Sequence, residues 1–169
     1  MQVTIQDLVE LEAYIESLVP RVPGLTVYKY LGEGVYFDEA IQSYFQNSYE
    51  GVTLFLGIFE GFDRGSIGQS FLEQYGQLIV LDRGDPTALP GADDTPLRVR
   101  NACTRLMLKL LGTIELDAEE SRTVRGPKLN FRIEDDGKMV PIERPGNVNA
   151  YGCGLNFCVS IPVNSLKYS

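Results

Sequence analysis

NAYGCGLNFCVSIPV, residues 149–163, is the stretch on which the fold turns. Taken in steps of two, Tyr151, Cys153, Leu155, Phe157, Val159, Ile161 and Val163 form one set, all suited to a core. Ala150, Gly152, Gly154, Asn156, Cys158, Ser160 and Pro162 form the other, all small or polar. Successive side chains of a strand point to opposite faces, so this alternation predicts one long, half-buried strand. Cys153 and Cys158 are an odd number of residues apart and fall on opposite faces. On a straight strand they can neither bridge each other nor share a metal ion. The stretch is architecture.

Working outward, the 169 residues suffice for one domain with its own core, and 44% hydrophobic and 22% charged residues are ordinary for a globular chain. The first residues, MQVTIQDLVELEAY, show neither a basic nor an apolar leader segment, and no apolar run reaches the ~20 residues that span a bilayer. Neither a signal peptide nor a membrane is therefore expected. Three cysteines are too few and too scattered for a disulfide framework, so synthesis in a reducing cytosol is expected. With 23 acids against 15 bases the net charge is -8, which argues against a general nucleic-acid binder. It suits a surface past which nucleic acid must slide. There is no histidine, which removes Ser–His and Cys–His pairs, His-ligated zinc and imidazole acid–base chemistry. That shifts the expectation toward a structural or binding role.

Residues 4–19 read as a helix with an apolar stripe of Ile5, Leu8, Leu11, Ile15, Leu18 and Val19; Thr4 is the expected N-cap, with Asp7 three residues on. Residues 25–31 read as a strand, 32–34 as a turn, and 38–48 as a short helix capped by Asp38 and burying Ile41, Tyr44 and Phe45. Residues 52–61 are apolar on both faces, which predicts a central strand. A glycine-rich turn, 61–70, separates it from another strand at 71–83. Thr95 and Pro96 open a helix over 96–111 with Val99, Ala102, Cys103, Leu106, Met107 and Leu110 on its apolar face, and Gly112 reads as its stop. A polar loop follows, and Asp136-Gly137 between LNFRIED and KMVPIER reads as a hairpin turn. The predicted class is α+β: a mostly antiparallel sheet with two main helices packed on it and an added hairpin in the C-terminal half.

Motifs with chemical associations each have a structural reading. GEGVYF, 32–37, lacks the third glycine and following helix of a dinucleotide loop, and RGSIGQS, 64–70, lacks the lysine and spacing of a phosphate loop. Arg83-Gly84-Asp85 spells an adhesion tripeptide but sits where a strand should end. Asp93-Asp94 precedes a helix, Asp135-Asp136 lies in a turn, and the acids at 115–120 lie in the predicted loop; none has calcium-loop spacing. Cys103 falls on a buried stripe. No catalytic, cofactor or metal site is expected.

One feature is less bland. Arg98, Arg105 and Lys109, with Arg100 nearby, line the polar side of the 96–111 helix, and Glu115, Asp117, Glu119 and Glu120 follow it. Solvation, or pairing within the chain, would account for both runs. Alternatively, one copy's basic helix meets the next copy's acidic loop, a head-to-tail contact that can close a ring.

The element order resembles that of tail terminator, or tail completion, proteins and related neck-ring proteins of tailed bacteriophages. The helix ending in VPGL (22–25), the apolar strands, the helix entered through a Pro/Asp-rich loop (85–111) and the late strand with YGCGLNF (151–157) are similar to theirs. The 113–150 region is longer, with the extra hairpin. The resemblance implies a non-enzymatic virion protein, made in the host cytoplasm, that forms a homo-oligomeric ring, commonly a hexamer. Its partners would be its own copies, the tail tube and the connector or neck proteins, with DNA only as passing cargo and no cofactor. Other head–tail connectors, a component of a phage-like injection device, or a carboxylate-dependent enzyme are the alternative classes.

Overall fold

The structure, a computed structural model, describes residues 5–34, 37–66, 69–123 and 129–162. In chain order the main elements are helix α1 (Leu8–Leu18), strand β1 (Val27–Glu33), helix α2 (Asp38–Asn47), strands β2 (Thr53–Ser66) and β3 (Gln69–Arg83), helix α3 (Pro96–Thr123), and strands β4 (Phe131–Ile133), β5 (Val140–Glu143) and β6 (Ala150–Pro162). The class is α+β, and the six strands form one sheet in the order β1-β2-β3-β6-β4, with β5 also paired to β6.

The 149–163 stretch forms β6, the strand on which the sheet is assembled. It pairs with β3 along its whole length, from Arg83 opposite Ala150 to Phe71 opposite Pro162. Tyr151, Cys153, Leu155, Phe157, Val159 and Ile161 all enter the larger core, as alternation predicts, while Val163 lies outside the described residues. The strand is not simply half-buried, however. Ala150 on the other face is fully buried against α2, and Cys158 is also buried.

That second cover follows from chain direction. β1 and β2 are parallel, the one parallel pair in the described sheet, and joining parallel neighbours requires a crossover. The crossover is α2. It packs Phe37, Ile41, Tyr44 and Phe45 on Phe55, Ile79 and Leu81, whereas α1 and α3 share the opposite face. β2 is therefore covered on both sides, as its apolar composition requires. The two main helices thus share one face, and the short helix read over 38–48 covers the other.

Local chemistry adjusts several ends. Helix α1 starts at Leu8 with Asp7 as its cap, Oδ1 accepting from Glu10 N–H at 2.8 Å. Glu10 Oε2 in turn accepts from the N–H of Gln6, the residue before the cap, at 2.7 Å, so Asp7 and Glu10 together satisfy two backbone donors at the start of the helix. Thr4, the expected cap, lies outside the described residues. Helix α2 is not capped by Asp38: Phe37 holds the cap position, and Asp38 and Glu39 occupy the first turn, where acids meet the positive end of the helix dipole.

Two larger departures matter for the surface. The segment read as a glycine-rich turn, 61–70, is mostly strand. β2 and β3 pair out to Ser66 opposite Gln69, past a bulge between Ile58 and Gly61. At the bulge, the buried Gln74 side chain donates to the carbonyls of Phe59 (2.7 Å) and Tyr75 (3.0 Å), satisfying groups that the irregular register leaves open. The expected hairpin is not formed. β4 and β5 are both antiparallel to β6, so they run in the same direction along one edge. Residues 134–139 loop out between them. Asp135 and Asp136 take positive φ there, and Asn156 Nδ2 ties the excursion down by donating to Asp135 Oδ2 at 2.8 Å.

Candidate interaction surface

Helix α3 does not stop at Gly112 but continues to Thr123. Its buried stripe runs on through Leu111, Ile114, Asp117 and Ser121, continuing Cys103, Met107 and Leu110 at helical spacing. The acidic residues read as a loop are thus on the same helix as the basic ones. Asp117 points inward: Arg21 donates to its two oxygens at 2.6 and 2.7 Å, and the Tyr14 hydroxyl donates at 2.9 Å. It clamps the end of α1 to α3 and is no part of the surface. Burial pushes its carboxyl up, but the hydrogen bonds from Arg21 and Tyr14 and the guanidinium charge outweigh that and hold it below the usual carboxylate range. Burial, with the Asp117 charge behind it, raises the Tyr14 phenol far above its ordinary value.

The other seven expected contact residues divide. Arg98 pairs with Asp93 at 2.9 Å, and Arg100 with Glu143 on β5 at 2.8 Å. These two are occupied within the chain. Glu120 is exposed on the Arg21 side of the helix, where its charge adds to the hydrogen bond and charge of Asp117 that chiefly raise the guanidinium's pKa. Arg105, Lys109, Glu115 and Glu119 are exposed on the outer face, and none of the ion pairs among the described residues uses them. Between them stand Leu108 and Leu116, 56% and 61% exposed, which the sequence reading did not single out. Their signal was helical continuation beyond Gly112, obscured because a glycine after a basic run reads as a C-cap.

Gly112 itself is mid-helix, and a β-carbon there would meet nothing within 4 Å. It forms part of the floor of an open groove of about 510 Å³ bordered by Val22, Pro23 and Leu116. Nothing inside the chain requires glycine at this position. Gly112→Ala is expected to stabilise the isolated chain by about 0.5–1 kcal/mol, the helix-propensity difference, read as a higher urea midpoint at low protein concentration.

A second exposed feature is the arm formed by the far ends of β2 and β3. β1 ends opposite Ile58, and among the described residues no strand pairs with the outer edge of Gly61–Ser66. α2 covers the near half of its sheet face only. On the uncovered half, Phe62 packs edge-on against Tyr75 with ring centroids 5.8 Å apart, and Phe62 and Phe71 are both exposed. Arg64 and Glu73 pair across the arm at 3.1 Å.

The remaining motifs are absorbed by the fold. Arg83 of the adhesion tripeptide lies 4.2 Å over the Tyr49 ring and donates to the Phe45 carbonyl, and the Tyr49 hydroxyl donates to Asp82. Asp85 Oδ1 accepts from the backbone and hydroxyl of Thr87, a local turn. Residues 35–36 and 67–68 of the two glycine loops lie outside the described residues. All three cysteines are buried, and burial pushes the Cys103 thiol up to about 12, so it is protonated at neutral pH. Among the described residues no group of His, Cys, Asp and Glu is arranged to hold a metal ion, and no helix is long and apolar enough to cross a membrane. No protein-family model matches the chain, and no curated protein matches it.

Proposed function

We propose that the chain is a structural, non-enzymatic protein of a tailed-phage virion, assembling head to tail into a ring, commonly of six copies, at the tail or neck. The ring would terminate the tail tube or join it to the head, with DNA passing through as cargo. The observation that carries this reading is the β2–β3 arm. An unpaired strand edge beside an exposed aromatic face is the kind of surface that proteins ordinarily cover, and a neighbouring subunit can cover both parts at once. The arm and the body that would receive it are different surfaces, which is the geometry of a heterologous contact that propagates around a ring. The net charge of -8 supports the same reading, since carboxylates lining a channel repel phosphate. The resemblance in element order to tail terminator proteins supplies the biological setting.

The test is native mass spectrometry of the full chain, alone and with purified tail tubes, followed by electron microscopy of any large species. A closed ring is expected, with Phe62→Ser and Phe71→Ser together abolishing it while leaving the circular dichroism spectrum unchanged. A chain that forms no ring in either setting sinks the proposal.

A further inference from the structure

The outer face of α3 is self-complementary about Gly112, and the geometry points to a two-fold, antiparallel pairing of this helix with the α3 of a second copy. In such a pair, positions equally distant from the residue at the two-fold lie at the same level. With Gly112 at the centre, Arg105 lies level with Glu119, Leu108 with Leu116, and Lys109 with Glu115. Arg105 therefore meets Glu119 of the other copy across the seam at each end of the contact, Lys109 and Glu115 stand along its two edges, and the exposed leucines fill the layers on either side of the crossing.

Two independent features favour a second copy over solvent. Arg105–Lys109 and Glu115–Glu119 are like charges at i, i+4 on one helix, an unfavourable spacing that opposite charges from a partner relieve. Gly112, whose missing side chain answers to no neighbour inside the chain, lets two helix backbones approach closely at the crossing point. Charge complementarity thus selects both the occupant and the register. The contact closes at two copies, uses a surface separate from the arm, and stands whether or not the chain forms a ring.

Charge exchange on the full chain tests it, with self-association read by sedimentation equilibrium. With ring formation removed by Phe62→Ser and Phe71→Ser together, the chain is expected to form a dimer that weakens with salt. Arg105→Glu or Glu119→Arg, each acting twice by symmetry, should weaken the dimer by about tenfold or more. The double variant R105E/E119R should restore it. Gly112→Cys should give a disulfide-linked dimer under mild oxidation, because only a residue at the two-fold faces its own copy. The three native cysteines are buried and serve as a silent background. Both charge sites are exposed, so unchanged thermal unfolding of dilute protein verifies that each variant is folded. A monomeric F62S/F71S chain, single reversals that leave association unchanged, or a double variant that fails to recover each overturns the proposal.

Discussion

Asp117→Asn should unfold about 6–12 °C below the unmodified chain at neutral pH. The Asp117 side chain is only 2% exposed, yet it carries a charge that three hydrogen bonds hold in place. Removing one partner of a buried ion pair costs about 3–5 kcal/mol. The lower end applies here, since Arg21 is about a third exposed and can turn to water. For a chain of this length each kcal/mol corresponds to roughly 2–4 °C. The pH dependence has a definite sign. The folded carboxyl titrates below its unfolded value of about 3.9, so its contribution is fully present above that pH and is lost as pH falls through the folded pKa. The gap between the two proteins should therefore be widest at neutral pH and close in acid. Thermal unfolding from pH 7 down to the acid limb measures it. A gap that stays constant across that range would show that the clamp contributes shape rather than charge.

A second large effect is expected from one added methyl group. Gly152→Ala would place a β-carbon 1.9 Å from the Val80 carbonyl oxygen and 3.0 Å from a Leu81 side-chain carbon. The first obstacle is backbone of the paired strand, which cannot rotate away as a flexible side chain could. Either β3 and β6 separate locally or the register is lost, and β6 carries β3, β4 and β5 together. Overpacking of this kind costs about 1–3 kcal/mol where neighbours adjust, and more where backbone must move. A loss of at least about 3 kcal/mol is expected, measured by urea unfolding. Gly112→Ala is the matched control, the same chemical change in open space with the opposite expected sign.

Much of the fold follows from local pattern alone. The period-two alternation of 149–163 identified β6 and its core face, because a strand's geometry is written into adjacent residues. The buried faces of α1, α2 and, apart from the exposed Ala102, the first half of α3 were legible for the same reason, and the apolar run at 52–61 correctly implied cover on both sides. So were the outward-facing Arg105 and Lys109.

What only the tertiary structure decided involves partners far apart in the chain. Asp117 looks like one acid in a solvated run until Arg21 and Tyr14 arrive from the other end of the sequence. Gly112 looks like a helix stop until packing on the sheet carries the helix past it. Asp136-Gly137 has the chemistry of a hairpin turn, yet β4 and β5 both pair with β6, because the edge of that long strand offers each a partner. Gly152 reads as merely small, and only the closeness of the Val80 carbonyl makes its smallness obligatory. Local sequence sets the period and the preferred ends of each element. Long-range pairing and burial decide which of those ends are used, which charges face inward, and which are left on the surface for another molecule.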